Sequence, residues 1–397
     1  MSTPAISTAR QPGGMSRSAR PNARAQSLAQ GAAGIALLHI ERARRSSGSW
    51  TQAHAVLATC AHDLIVGQDT CLYFGAPSVA FAMHTAAAGT GRYARALHAL
   101  DARITQLTTR RIGRAHARIE RGERPRASEF DLFHGLTGLG TYLLCREPDA
   151  QVLHEVLRYL VRLTIPLDGD EEQLPGWWIP YSPSGGISPS FTGGHGNAGM
   201  AHGAAGILSL LSVAARHGTV VDGQIEAIHR ICGWLDLYRQ DTRTGSWWPG
   251  WINLAEHRAG TVTQPGPPRP GWCYGTAGLA RAQQLAGLAL NDTARQRMAE
   301  RALLACLADP AQLARIRDAG ICHGAAGLLH TTHRVARDAQ AQGFAARLAS
   351  LRVLLLEQPP AHEDGFLDGT AGSALALLTA DANGTTASGW DACLLAG

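Results

Sequence analysis

The sequence predicts an all-α protein built from two layers of helices, and three observations carry that prediction. A glycine-led motif, Gly-x-x-Gly followed by an aliphatic stretch, recurs seven times along the 397 residues. Helices of a second, more charged kind lie between the copies. Only two segments, 166–199 and 242–271, interrupt the helical pattern at length.

The copies start at Gly31, Gly75, Gly135, Gly203, Gly275, Gly324 and Gly369, with spacings of 44, 60, 68, 72, 49 and 45 residues. The shorter spacings suit a helix pair with its loops, and the longer ones carry insertions. Glycine inside a helix costs about 1 kcal/mol relative to alanine, so seven repeated pairs need compensation. Residues i and i+3 share a helix face, so each pair clears one stripe of a first turn. That stripe can touch a neighbouring backbone or leave room for a ligand. Only the second copy, Gly75-Ala-Pro-Ser78, lacks its second glycine.

The intervening stretches, such as 93–104 and 224–237, repeat apolar residues at intervals of three and four, the helical period. An apolar helix alternating with an amphipathic one implies an inner layer covered by an outer layer. An open solenoid and a closed ring share this pattern. The two interruptions hold five tryptophans, Trp177, Trp178, Trp247, Trp248 and Trp251, and read as ordered, hairpin-like excursions beside the site. Lining a peptide pocket and capping the helical layer are both open to these aromatics.

Composition narrows the function. Charged residues make up 17% and the formal charge is +5, much of it in the first 24 residues. The body therefore lacks the clustered basic patch of a nucleic-acid binder. No apolar run nears the roughly 18 residues of a membrane span, and no apolar core marks a Sec signal. Residues 1–25 read as a disordered basic tail, and 26–397 as a single domain. The eight cysteines are thinly spread, which argues against a disulfide framework.

Two of those cysteines share a repeated polar context. Cys273 stands in Trp272-Cys-Tyr-Gly275 and Cys322 in Ile321-Cys-His-Gly324, each at the mouth of a glycine-led helix. With His323 they form a three-ligand set for zinc that leaves a fourth position for substrate, the pattern of a catalytic site. Adjacent residues lie about 100° apart around a helix, so Cys322 and His323 should sit in the entry turn rather than in the helix.

These motifs, with Asn197-Ala-Gly-Met-Ala-His-Gly203, resemble the lanthionine synthetase C-like family, the lantibiotic cyclases, from about Ser27 to Leu378. The resemblance implies an α/α toroid of seven inner and seven outer helices. It implies one zinc ion on Cys273, Cys322 and His323. It also implies a reaction that joins cysteine thiols to dehydrated serines or threonines of a precursor peptide. By motif, the catalytic candidates are His202, Asp131, Tyr274 and Arg269. Asp131 has a second reading as a helix cap. Family members insert a small domain early in the ring; here the charged stretch Arg110 to Arg124 occupies that place. The other histidines, including His134, His195, His330 and His333, are expected to be structural or solvent-facing.

The chemistry is coherent without the resemblance. A zinc-bound thiol ionises near neutral pH. Its addition to a dehydroamino acid leaves an enolate that needs a proton, and a histidine titrates in the right range to give one. The expected partners are a leader-bearing dehydrated peptide, a separate dehydratase and a transporter, with a cytoplasmic location at a membrane-associated biosynthetic complex. Two rivals are a prenyltransferase-like zinc thiol alkylator and a non-catalytic zinc-containing scaffold that binds a peptide or glutathione.

Overall fold

A computed structural model describes residues 23–359 and 361–397. The expected N-terminal tail lies outside the described residues except for its last three, where the turn Arg24–Gln26 begins and buries Gln26. Each glycine-led copy starts a helix. The seven are α1 (Ala32–Arg44), α3 (Ala76–Ala87), α5 (Leu136–Arg146), α7 (Ala204–Arg216), α9 (Thr276–Leu290), α11 (Ala325–Asp338) and α13 (Thr370–Asp381). Between them run α2 (Trp50–Ala61), α4 (Ala94–Glu120), α6 (Gln151–Leu163), α8 (Gln224–Leu237), α10 (Thr293–Ala308) and α12 (Phe344–Glu357).

The odd-numbered helices form the inner layer. Each packs on the next odd helix, and α13 packs on α1, so the layer closes into a ring. The inner helices are apolar almost all round; α9, for example, is buried from Thr276 through Gly287. The even-numbered helices bury one stripe. In α6 that stripe is Val152, Leu153, Val156, Leu157, Leu160 and Leu163, and each leucine so buried contributes about 1.5–3 kcal/mol. The described residues supply six long outer helices to seven inner ones. The place of the family's inserted domain holds α4, one continuous helix of 27 residues packed on α3, α5 and α6. No helix among the described residues is long and apolar enough to cross a membrane.

The glycines are explained by the entry turns. A Cβ on the second glycine of six copies would lie 1.9–2.5 Å from the carbonyl oxygen six residues earlier, as at Gly278 over Trp272. The cleared stripe therefore rests on the chain's own entry turn rather than on a neighbouring helix. Gly75 alone among the leading glycines takes a positive φ, +73°. Its altered turn accommodates Ser78, which is fully buried.

Entry turns are also tied to one another through the main chain. Leu28 N donates to Tyr73 O, Leu132 N to Ala201 O, and Met200 N to Cys273 O. Cys273 N then donates to Cys322 O, Cys322 N to Leu367 O, and Leu367 N to Ala29 O, at distances of 2.9–3.2 Å. The remaining junction, between the second and third turns, is made by side chains: Tyr73 and Phe133 stack at 4.2 Å with planes 9° apart.

Residues 390–397 lie inside the ring. Trp272 Nε1 donates to Leu394 O at 3.0 Å, Tyr73 Oη to Cys393 O at 3.0 Å, and Arg281 Nε to Ala396 O at 2.7 Å. Asp391 meets His330 Nε2 at 2.9 Å and also pairs with Arg334. These partners come from separate sectors of the ring, so only its interior can hold the segment.

The two excursions pair with each other. Strand β1 (His195–Asn197) runs antiparallel to β4 (Trp251–Asn253), with Asn197 opposite Trp251. A separate hairpin joins β2 (Gln240–Thr242) to β3 (Gly245–Trp247). Trp177, Trp178, Trp247 and Trp248 are buried in this layer. Only Trp251 reaches toward the site, 5.2 Å from the Tyr274 ring. Packing is thus the main task of these aromatics.

Candidate metal and proton-transfer site

The ring brings equivalent positions of successive repeats to one mouth. The residue before each leading glycine is Gln30, Phe74, His134, His202, Tyr274, His323 or Asp368. Every motif candidate except Asp131, Arg269 and the two cysteines occupies this position, and the cysteines stand one residue earlier.

Cys273, Cys322 and His323 converge, their ligand atoms all within 4.8 Å of one another. Cys322 and His323 sit in the entry turn, because α11 starts at Ala325 with Gly324 as its cap. Cys273 is buried, and its backbone N–H on Cys322 O at 3.1 Å fixes the spacing of the pair. The hydrogen bond from Cys322, together with nearby His323 and Arg269, brings the Cys273 thiol down to about 5. The reciprocal contact pushes Cys322 well up. His323 Nε2 faces Asp318 at 3.7 Å and Asp368 at 4.0 Å. Arg269 Nη1 lies 3.4 Å from Asp318. Two converging thiols, an imidazole and nearby carboxylates fit a zinc ion.

A second group forms around Asp131, which is only 2% exposed. Its Oδ1 accepts the backbone N–H groups of His134 at 2.6 Å and Gly135 at 2.9 Å, at the entrance to α5. Its Oδ2 meets His202 Nδ1 at 2.6 Å and His134 Nδ1 at 3.4 Å. Asp131 thus ties the entry turn through two backbone N–H groups and also holds an imidazole, while Gly135 is the cap of the helix. Burial pushes its carboxyl up, but the charge of His202 and the hydrogen bonds from both histidines outweigh that and hold it well below the usual range. The bond to Asp131 raises His134.

Tyr274 links the two groups. It follows Cys273, its ring lies 6.3 Å from that of His202, and its hydroxyl accepts from Asn197 Nδ2 at 3.0 Å. Burial raises its phenol, which keeps the O–H available as a donor. Phe133 packs 5.0 Å from His202 and 6.1 Å from Trp272, forming an apolar floor.

The structure brings all seven sequence candidates to this mouth and adds His134, which the sequence reading had set aside. The signal for it was present: His134 holds the same repeat position as His202 and His323. His195, His330 and His333 lie elsewhere. His195 is buried in β1 with Nδ1 on Tyr181 O at 2.7 Å, and burial lowers it to about 4.

Comparison with known proteins agrees with this architecture. The family model described as lanthionine synthetase C-like protein matches residues 23–395. Nisin biosynthesis protein NisC from Lactococcus lactis subsp. lactis is 24% identical over 265 residues. That alignment covers 63% of this chain and 60% of NisC, so it spans less than two thirds of this relative. The solved structure of nisin cyclase superposes with a TM-score of 0.78 at 22% identity, over 94% of this chain and 92% of that one, and so shares its helical toroid. The chain belongs to the lanthionine synthetase C-like family.

Proposed function

We propose that this protein is a zinc-dependent cyclase that closes thioether rings in a dehydrated precursor peptide. The observation that carries the reading is the convergence of a Cys-Cys-His trio and an Asp-His pair at one mouth, with Tyr274 between them. Cys273, Cys322 and His323 would hold the metal. When bound, zinc supplies the Lewis acidity that ionises a substrate thiol near neutral pH.

The chain's own residues supply the remaining chemistry. A cysteine thiolate of the peptide adds to the β-carbon of a dehydroalanine or dehydrobutyrine, forming the C–S bond and an enolate, and the α-carbon then takes a proton. His202 is the proton donor in this reading: Asp131 fixes its Nδ1, which leaves Nε2 for transfer. The Tyr274 hydroxyl, whose phenol burial raises, and the Arg269 guanidinium are the donors for the developing enolate oxygen. A dehydratase must supply the unsaturated substrate, and a transporter accepts the product in this scheme. The eight free cysteines suit a cytoplasmic setting.

Incubating the zinc-loaded protein with a dehydrated, cysteine-containing peptide tests the reading. Free thiols should disappear with no change of mass. Retention of all thiols would leave a scaffold, and a gain of mass when an isoprenoid diphosphate is added would point to an alkylator.

A further inference from the structure

The two groups at the mouth are built on one plan. The first takes one ligand from the repeat that starts at Gly275 and two from its neighbour at Gly324. The second takes Asp131 and His134 from the repeat at Gly135 and His202 from its neighbour at Gly203. In both, three candidate ligand atoms lie within 4.8 Å of one another.

We propose that Asp131, His134 and His202 form a second, weaker divalent-cation site whose filling switches the cyclase off. Both imidazoles turn Nδ1 toward the same carboxylate oxygen, at 3.4 and 2.6 Å. Their rings lie nearly parallel, 15° apart with centroids at 6.0 Å. Ligands about 2.1 Å from an ion sit roughly 3–4 Å from one another, so small side-chain shifts suffice to admit one. Asp131 is buried, and a cation would compensate its carboxylate. The His134 side chain is 53% exposed and gives an ion a way in.

Two imidazoles and one carboxylate suit zinc or cobalt rather than magnesium or calcium. Without a thiolate, this group binds less tightly than the cysteine trio. An ion here displaces the Nδ1 protons of His202 and His134 to solvent and holds His202 as a metal-bound imidazole, whose remaining Nε2–H is a far weaker acid than imidazolium and a poor proton source for the enolate. This consequence rests on the proposed role of His202; the binding itself does not.

The test uses the full chain and cobalt(II). The first equivalent should produce the thiolate-to-cobalt absorption of the cysteine trio. Further cobalt should add visible ligand-field absorption without strengthening the thiolate band. His134→Gln should lose this second phase and keep the first, while Cys322→Ala should do the reverse. His134 is exposed, so its replacement leaves the packing intact; Asp131→Asn gives an independent check. In the wild type, excess zinc should slow ring closure by tenfold or more, in line with loss of a proton donor. Saturation at one ion, or a second phase that persists in His134→Gln, would overturn the site. A second phase in a protein that never consumes thiols would leave the site standing and remove the cyclase reading.

Discussion

Gly278→Ala is a severe test of how the ring holds its chemistry. In an ordinary exposed helix this change stabilises, and Gly113 in α4 provides the internal control, because a Cβ there meets nothing within 4 Å. Gly113→Ala should raise stability by about 0.4–1 kcal/mol. At Gly278 the new Cβ would lie 2.0 Å from the Trp272 carbonyl oxygen, whereas real contacts begin near 3.0 Å. The entry turn must therefore retreat by about 1 Å, the typical cost of such overpacking being about 1–3 kcal/mol. Trp272 precedes Cys273, so the retreat moves a proposed metal ligand and the neighbouring Tyr274. A displacement of about 1 Å at a reacting centre costs on the order of 10²-fold in rate. Denaturant unfolding of both variants, zinc content and thiol-consumption rates measure the three effects. A Gly278→Ala protein stabilised like the control, with full zinc and full rate, would refute the packing account.

Four further outcomes follow from the site and the core. Purified protein should carry about one tightly held zinc per chain by metal analysis, and Cys273→Ala or Cys322→Ala should lose most of it while keeping the helical circular-dichroism spectrum. His202→Asn should keep zinc and fold while ring closure falls by about 10²–10⁴-fold. Asp131→Asn should lose activity and stability together, because Asp131 also holds two backbone N–H groups at the entrance to α5. The Asp131 carboxyl is depressed in the fold, so its contribution is complete above the unfolded value of about 4 and is lost as pH falls below it. Acid titration of wild-type stability should accordingly be steeper below pH 4 than that of Asp131→Asn. Asp391→Leu should destabilise by about 3–5 kcal/mol in denaturant melts, since it leaves Arg334 buried without its carboxylate.

The ring was legible where it repeats. Seven glycine-led helices can be read from the chain because each glycine pair answers the same steric demand, and the amphipathic stretch 224–237 became α8 with those bounds. Closure was legible through the family resemblance but not from the repeat pattern, because the contact of α13 with α1 joins parts of the chain more than three hundred residues apart. The cysteine trio was visible through its repeated context. His134 reads from the sequence as structural or solvent-facing; only the folded turn shows one carboxylate serving both imidazoles. The tryptophan segments sent one ring to the site and four into packing, since their fate depends on a strand pairing between distant excursions.

The links between entry turns have an evolutionary consequence. Six of the seven junctions around the mouth are made by peptide groups, which every non-proline residue carries. The side chains at the linked positions are therefore largely released from holding the ring shut. Seven sockets of equivalent placement can exchange imidazole, phenol, phenyl, amide or carboxylate one at a time, and the hoop beneath them persists. Reactivity can drift quickly on such a frame while the architecture stays fixed. The exception is the junction where Tyr73 stacks on Phe133. There the side chains themselves form the clasp, so substitutions beside the Asp131 group should carry a mechanical penalty that substitutions beside the cysteines do not.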